Sequence, residues 1–247
     1  MKLTTSRVGE QHINNQGYRF EITEYRGCMN CDIMFENGYL VNNVEYSQIL
    51  RKEIRNPYHK TKYNVGFLGE GRYNSKTHVR AYDKWSNMFM RSYDTKYIEK
   101  FPTYKGCTVD KNWHNFQVFA QWFEENLKSH MKDWDLDKDI LVKGNKIYSP
   151  ETCCLIPTRI NKLFTSRKNN RGALPVGVSK IGNKFKANLS KNGYRLHLGT
   201  YNTPKEAFLA YKTAKENYIK EVADEYKNKI DYEVYQAMYG YQVEITD

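Results

Sequence analysis

Residues 176–206 carry the punctuation that most restricts the fold. Gly182-Asn183 and Asn192-Gly193 each separate short runs of alternating side chains. Two-residue turns of this composition join adjacent antiparallel strands and set which residues oppose each other. They predict three strands, Val176–Ile181, Lys184–Ser190 and Tyr194–Leu198. Thr203-Pro204-Lys205-Glu206 then supplies a helix cap, a proline at the first helical position and an early acid. Behind it, Ala207, Ala210/Tyr211, Ala214 and Tyr218 recur at helical spacing as a stripe to be buried. Small alanines let such a helix lie close on a sheet.

Charge is concentrated in the same region. From Thr152 to Lys205 there is no Asp or Glu, but eleven Lys or Arg. The other 28 of the chain's 39 basic residues balance its 28 acids, so this stretch accounts for the formal charge of +11. Positive charge gathered in one place is the footprint of a polyanionic partner, since solubility rarely needs so long a run without carboxylates. Alternation places Lys184, Lys186 and Asn188 on one strand face, opposite Phe185, Ala187 and Leu189. Arg195 and His197 alternate in the same way against Leu196 and Leu198. Lys180 and Lys191 join these as candidate DNA contacts.

Upstream, the first seventy residues read as a small, bent β-module of five strands. Tyr18–Tyr25 and Ile33/Phe35 alternate, and Asn37-Gly38 marks a tight turn. From about Thr77 the pattern turns helical, with Trp85, Met88 and Phe89 on one face. Asp94 to Gly106 reads as loop. A second helix, Lys111 to Met131, carries the stripe Trp113, Phe116, Ala120, Phe123 and Leu127. Residues 136–141 and 147–149 read as a hairpin around Lys143–Lys146, and Pro157–Phe164 as a short helix, making a ββα unit. The tail suggests one helical turn and a final strand, Tyr241–Ile245.

These elements predict an α+β chain in four parts. A β-module spans 1–76, and helices with the ββα unit span 77–164. A basic linker spans 165–175. A three-stranded antiparallel sheet packed on a helix, with an extension, spans 176–247. No run is apolar enough to cross a membrane, and the five cysteines lack a disulfide framework, so the chain reads as soluble and cytoplasmic. Cys28/Cys31 and Cys153/Cys154 lack a second ligand pair, so structural zinc is not expected.

The C-terminal unit resembles the APETALA2-type DNA-binding domain. The matching residues are Gly177-Val178, Phe185 with Ala187, Leu198-Gly199-Thr200-Tyr201, Glu206-Ala207 and Ala210-Tyr211. The resemblance implies a sheet laid in the major groove of duplex DNA with the helix behind it. The family usually has Trp where this chain has Phe185 and His197, and more arginine than lysine.

Residues 80–164 resemble a divergent HNH-type endonuclease module of phages and mobile elements. Leu136-Asp137-Lys138-Asp139, Gly144-Asn145, Tyr148-Ser149-Pro150-Glu151 and Cys153 carry the likeness, with Trp85, Met88, Arg91-Ser92, Trp113, Phe116, Phe119 and Trp122 upstream. Such modules hold one divalent metal in a ββα unit and activate water with a first-strand histidine. Here no histidine lies between His130 and His197. Asp137 and Asp139 stand in the first-strand positions. At i and i+2 on a strand they would share a face and hold Mg²⁺ or Mn²⁺, with Asn161 as the helix ligand and Asn145 shaping the loop. His114 and His130 are alternative bases from the preceding helix. The resemblance therefore implies a homing-type, metal-dependent DNA endonuclease. The missing histidine points instead to a DNA-binding protein without catalysis, and RNA binding is a third reading.

Overall fold

The computed structural model describes residues 6–128, 130, 132–165, 174–245 and 247. Residues 166–173 of the expected linker 165–175 and the expected end of the second helix at Met131 lie outside them. The chain divides into two compact units, residues 1–90 with 111–121, and residues 91–110 with 122–247. The class is α+β.

In the first unit, β1 (Gln11–Ile13), β2 (Arg19–Tyr25), β3 (Cys31–Phe35) and β4 (Leu40–Val44) pair antiparallel in chain order. Gly38 takes a positive φ and donates its N–H to the Phe35 carbonyl at 2.8 Å, which closes the turn expected at Asn37-Gly38. Alternation buries Phe20, Ile22, Ile33 and Phe35 together with Ile49 from α1 (Tyr46–Leu50). A short pair, β5 (Lys60–Lys62) and β6 (Gly66–Phe67), follows. The region thus has six strands and a helix rather than five strands. Gln48 Oε1 accepts the Glu45 N–H at 3.2 Å and holds the start of α1.

Helices α2 (Val79–Tyr93), α3 (Thr95–Lys100) and α4 (Phe116–Asn126) come next. Trp85, Met88, Phe89, Trp113 and Phe116 are buried as their spacing requires. The Trp85 Nε1–H donates to the Trp113 carbonyl at 2.8 Å. Two boundaries differ from expectation for the same reason, a capping side chain. Asp94 Oδ1 accepts the Tyr97 N–H at 2.8 Å and turns part of the expected loop into α3. Asn115 Oδ1 accepts the Gln117 N–H at 3.0 Å, so α4 starts at Phe116 and a 3₁₀ turn precedes it.

The second unit also holds β7 (Thr108–Val109), β8 (Trp134–Asp137), β9 (Ile147–Tyr148), β10 (Cys154–Pro157) and α5 (Thr158–Phe164). A strand-strand-helix unit is present, but its pairing differs from the hairpin read in the sequence. β8 pairs antiparallel with β10, while β9 pairs in parallel with β7. Side chains force this outcome. Asp137 Oδ1 accepts the N–H groups of Asp139 and Ile140 at 2.8 and 2.7 Å, which ends β8. The buried Lys138 then donates to the Asn145 carbonyl, and the Asn145 amide donates to the carbonyls of Lys138 and Ile147. Residues 138–146 are therefore a stapled loop.

Last come β11 (Val178–Ile181), β12 (Lys184–Lys191), β13 (Tyr194–Tyr201), α6 (Pro204–Tyr226) and α7 (Tyr232–Tyr239). The three strands form one antiparallel sheet with β12 in the middle. The Thr203 hydroxyl accepts the Glu206 N–H, and Glu206 accepts the Thr203 N–H in return, which starts α6 where its sequence indicated. Ala207, Phe208, Tyr211, Tyr218, Ile219 and Val222 are its buried face. Full burial of aliphatic side chains such as Leu189, Ile219 and Val222 contributes about 1.5–3 kcal/mol each. The expected strand at Tyr241–Ile245 is irregular chain instead. Its Val243 N–H is taken by Glu216 Oε1 at 2.9 Å and its carbonyl by Lys212 Nζ at 2.7 Å, so two α6 side chains do the work of a neighbouring strand. Among the described residues no helix is long and apolar enough to cross a membrane.

Two glycines separate backbone strain from packing. Gly177 has φ +75°, and a Cβ there would lie 2.0 Å from the Tyr211 ring; Gly182 has φ +56° but faces open space. Gly182→Ala should cost about 1 kcal/mol from backbone strain alone. Gly177→Ala should cost roughly 2–4 kcal/mol, because the ring must also move. Thermal or urea unfolding of both variants checks the order, and equal losses would show that Tyr211 does not pack on Gly177.

Candidate nucleic-acid interface

Strand register decides which basic residues act together. Residues directly opposite in an antiparallel pair share a face. Lys186 opposes Thr200, Asn188 opposes His197 and Ser190 opposes Arg195. On the other side of β12, Ser179 opposes Lys186 and Ile181 opposes Lys184. Lys184, Lys186, Asn188, Arg195 and His197 therefore lie on one face, joined by Ser179, Ser190 and Thr200. The opposite face carries Val178, Ala187 and Leu189, all buried on the side of α6.

Two expected members fall elsewhere. Lys180 opposes Phe185 and so belongs to the other face, where it is exposed. Lys191 shares the parity of Ala187 and Leu189, and its ammonium pairs with Glu221 of α6. Charge alone had grouped them with the rest; parity separates them. Ser179 and Ser190 were missed because they are uncharged, although alternation and the turns were enough to find them; Thr200 has the opposite parity to Arg195 and His197 and reaches this face only through a register shift in β13.

A bulge shapes this surface. The register passes from Ala187↔Gly199 to Asn188↔His197, so Leu198 is an extra residue on β13. A bulge of this kind increases local twist. Gly199, at φ +143°, lets the Tyr201 ring fold back, and the Tyr201 hydroxyl donates to the Leu198 carbonyl at 3.2 Å. Asn188 Nδ2 reaches Ser179 Oγ at 3.4 Å and so ties β12 to β11, while His197 Nε2 lies 3.4 Å from Thr200 Oγ1 across the bulge within β13.

The electrostatics differ sharply between the two sides of this unit. Lys184, Lys186 and Arg195 make no ion pair among the described residues. On the helix side, Glu221 takes Lys191, and Glu225 takes Arg159 of α5 through both carboxylate oxygens. The acids of α6 thus neutralise cations outside the open face and leave that face charged.

The residues expected to hold a metal are engaged separately. Asp137 accepts two backbone N–H groups, and Asp139, beyond the end of β8, receives the Lys138 ammonium at 2.7 Å. Asn161 Nδ2 donates to Asp135 Oδ2 at 3.2 Å, and Asn145 is taken up by the backbone of Lys138 and Ile147. The expected i, i+2 geometry fails because the strand stops at Asp137. Among the described residues no three His, Cys, Asp or Glu side chains gather as metal ligands. This donor set does not fit one divalent ion. His130 binds the Lys229 carbonyl at 3.0 Å and stacks edge-on to Trp134, while His114 lies in the first unit against Phe89. Cys153 and Cys154 are buried, which pushes the Cys153 thiol up to about 12 and raises Cys154 as well.

Comparison of the chain with protein-family models, with curated proteins and with solved structures returns no match.

Burial also holds the Asp137 carboxyl above its ordinary range, against the pull of the two N–H groups it accepts. A carboxyl raised in the folded state makes stability fall as pH climbs from the unfolded value to the raised one, and that loss persists above it. Asp137→Asn keeps the accepting oxygen and removes the charge. Its melting temperature at pH 7 should equal or exceed that of the wild type, with the gap closing toward pH 3. Asp137→Ala should lose about 1 kcal/mol by freeing two N–H groups. If Asp137→Asn melts no higher than Asp137→Ala at pH 7, the accepting oxygen is not what holds the turn and this role is wrong.

Proposed function

We propose that this protein binds duplex DNA by laying the open face of β11–β13 in the major groove, with the ββα region serving as its mount and not as a cutting centre. The observation that carries this reading is the segregation of charge. Lys184, Lys186 and Arg195 stand unneutralised on one face, while the nearby cations Lys191 and Arg159 are paired to α6. Dimensions support it: three strands at 4.7–4.9 Å spacing are about 10 Å across, against a B-DNA major groove about 12 Å wide. The major groove of A-form RNA is too narrow for a sheet, which favours DNA over duplex RNA. The likeness of residues 177–211 to the APETALA2-type domain points the same way.

The chemistry of the face sets what it reads. Lysines act as point charges and suit phosphates; Arg195 is the one guanidinium among the five expected residues on this face and the one fork that can grip a guanine edge. The side-chain amide of Asn188 suits adenine. Binding is therefore dominated by backbone phosphates, with sequence preference supplied by few residues. Each phosphate neutralised adds about −0.9 to the slope of log affinity against log salt.

Charge reversal tests the reading. Lys184→Glu, Lys186→Glu and Arg195→Glu should each weaken duplex binding about tenfold at moderate salt and reduce the salt slope by about one. Lys180→Glu, on the other face, should change affinity by less than about threefold, within the range of a screened surface charge. Unchanged affinity in the triple reversal removes the sheet as the interface. Supercoiled plasmid should stay intact with Mg²⁺ or Mn²⁺. Cutting that disappears in Asp137→Ala/Asp139→Ala would establish the endonuclease reading in its place.

A further inference from the structure

A cleft of about 1010 Å³ lies within the second unit, between α5, the free edge of β12 and α6. It exists because β11 is shorter than β12: β11 covers residues 184–187, and beyond Asn188 no strand among the described residues pairs with that edge. The Asn188 N–H donates to the Gly177 carbonyl at 2.9 Å. Strand alternation turns the Ser190 N–H to the same side, toward the cleft.

The lining is unusual in its charge. Lys162 of α5 stands exposed at the rim, and Lys215 of α6 lies deeper, 6.0 Å from the centre of the Tyr218 ring. Neither lysine has a carboxylate partner among the described residues. The acids that reach the cleft are Asp133 and Asp247, and Asp247 is held by Lys143 at 2.9 Å. Arg159 is already committed to Glu225. The Tyr218 hydroxyl is tied to Asn192, and burial keeps the Tyr241 hydroxyl protonated beside Asp247. Two ammonium groups, neither ion-paired among the described residues, and a backbone N–H therefore face one cavity, whose wall also holds Asp133 and the Lys143-bound Asp247.

We infer that this cleft is a phosphate-binding site, with Lys215 as its inner ligand, Lys162 as its rim ligand and the Ser190 N–H as a further donor. A partly buried ammonium with no partner is costly, and an anion relieves that cost. Desolvation lowers the Lys215 ammonium to about 8, a penalty that a bound phosphate would reverse. The phosphate has two possible sources: a free phosphate-bearing small molecule, or the backbone of a duplex lying on the sheet, since Asn188 belongs both to the cleft lining and to the open face. The site itself does not depend on the sheet being a DNA reader.

Lysine methyl NMR on the full chain separates these outcomes. Reductive ¹³C-methylation labels every lysine, and Lys215→Arg identifies the Lys215 signal. Titration with inorganic phosphate at constant ionic strength should move that signal saturably, and Lys162→Met should weaken the effect roughly threefold. A short DNA duplex then replaces the phosphate. Movement by the duplex that inorganic phosphate competes away assigns a backbone phosphate, and movement by inorganic phosphate alone assigns a free ligand. A Lys215 signal that neither probe moves beyond the effect of matched chloride overturns the site. Lys184→Glu/Lys186→Glu should leave the response to inorganic phosphate intact, so loss of DNA binding by the sheet and loss of this site read out differently.

Discussion

The packing of α6 on one face of a three-stranded sheet is the constraint on which the C-terminal architecture rests. Ala187 and Leu189 are buried on the side of α6, opposite the open face. Because the side-chain period of a strand is two, burying that set obliges Lys184, Lys186 and Asn188 to face away. The two tight turns extend the obligation to β11 and β13. A slip of one residue would bury lysines under the helix, so the apolar contact and the basic surface are fixed by one register.

The same helix distributes charge. The acid-free stretch ends at Lys205, and the next five carboxylates, Glu206, Glu216, Glu221, Asp224 and Glu225, lie on α6. Glu221 and Glu225 reach Lys191 and Arg159, and Glu216 with Lys212 holds the backbone of Val243. Exposed pairs of this sort contribute little to stability, typically below about 1 kcal/mol each. Their consequence is spatial. They remove positive charge from the flanks of the sheet and leave Lys184, Lys186 and Arg195 of the open face without ion pairs among the described residues.

Local chemistry decided what could be read in the chain beforehand. The sheet and α6 were legible because every boundary is marked by its own residues, Gly182-Asn183, Asn192-Gly193 and Thr203 to Glu206. The β8–β10 pairing was not, because it depends on Lys138 and Asn145 reaching backbone groups seven residues away. The tail failed for the same reason: Val243 finds its partners on α6, 27 and 31 residues earlier. Candidate contacts were legible in proportion to how closely parity was followed. Lys184 and Lys186 came from alternation and kept their place. Lys180 and Lys191 came from charge and did not.

In the ββα region the polar residues around the end of β8 serve the backbone. A catalytic carboxylate must leave oxygens free toward a metal or a water. Asp137 spends one on two N–H groups at a strand end, and Asp139 is drawn to Lys138, whose own burial requires a partner. Lys138 is the pivotal residue, since a buried ammonium without that carboxylate and the Asn145 carbonyl would be strongly destabilising. Freeing Asp139 for a metal would therefore strip Lys138 of its counter-charge. In this arrangement metal binding and loop stability compete for the same carboxylate, and the loop already holds it.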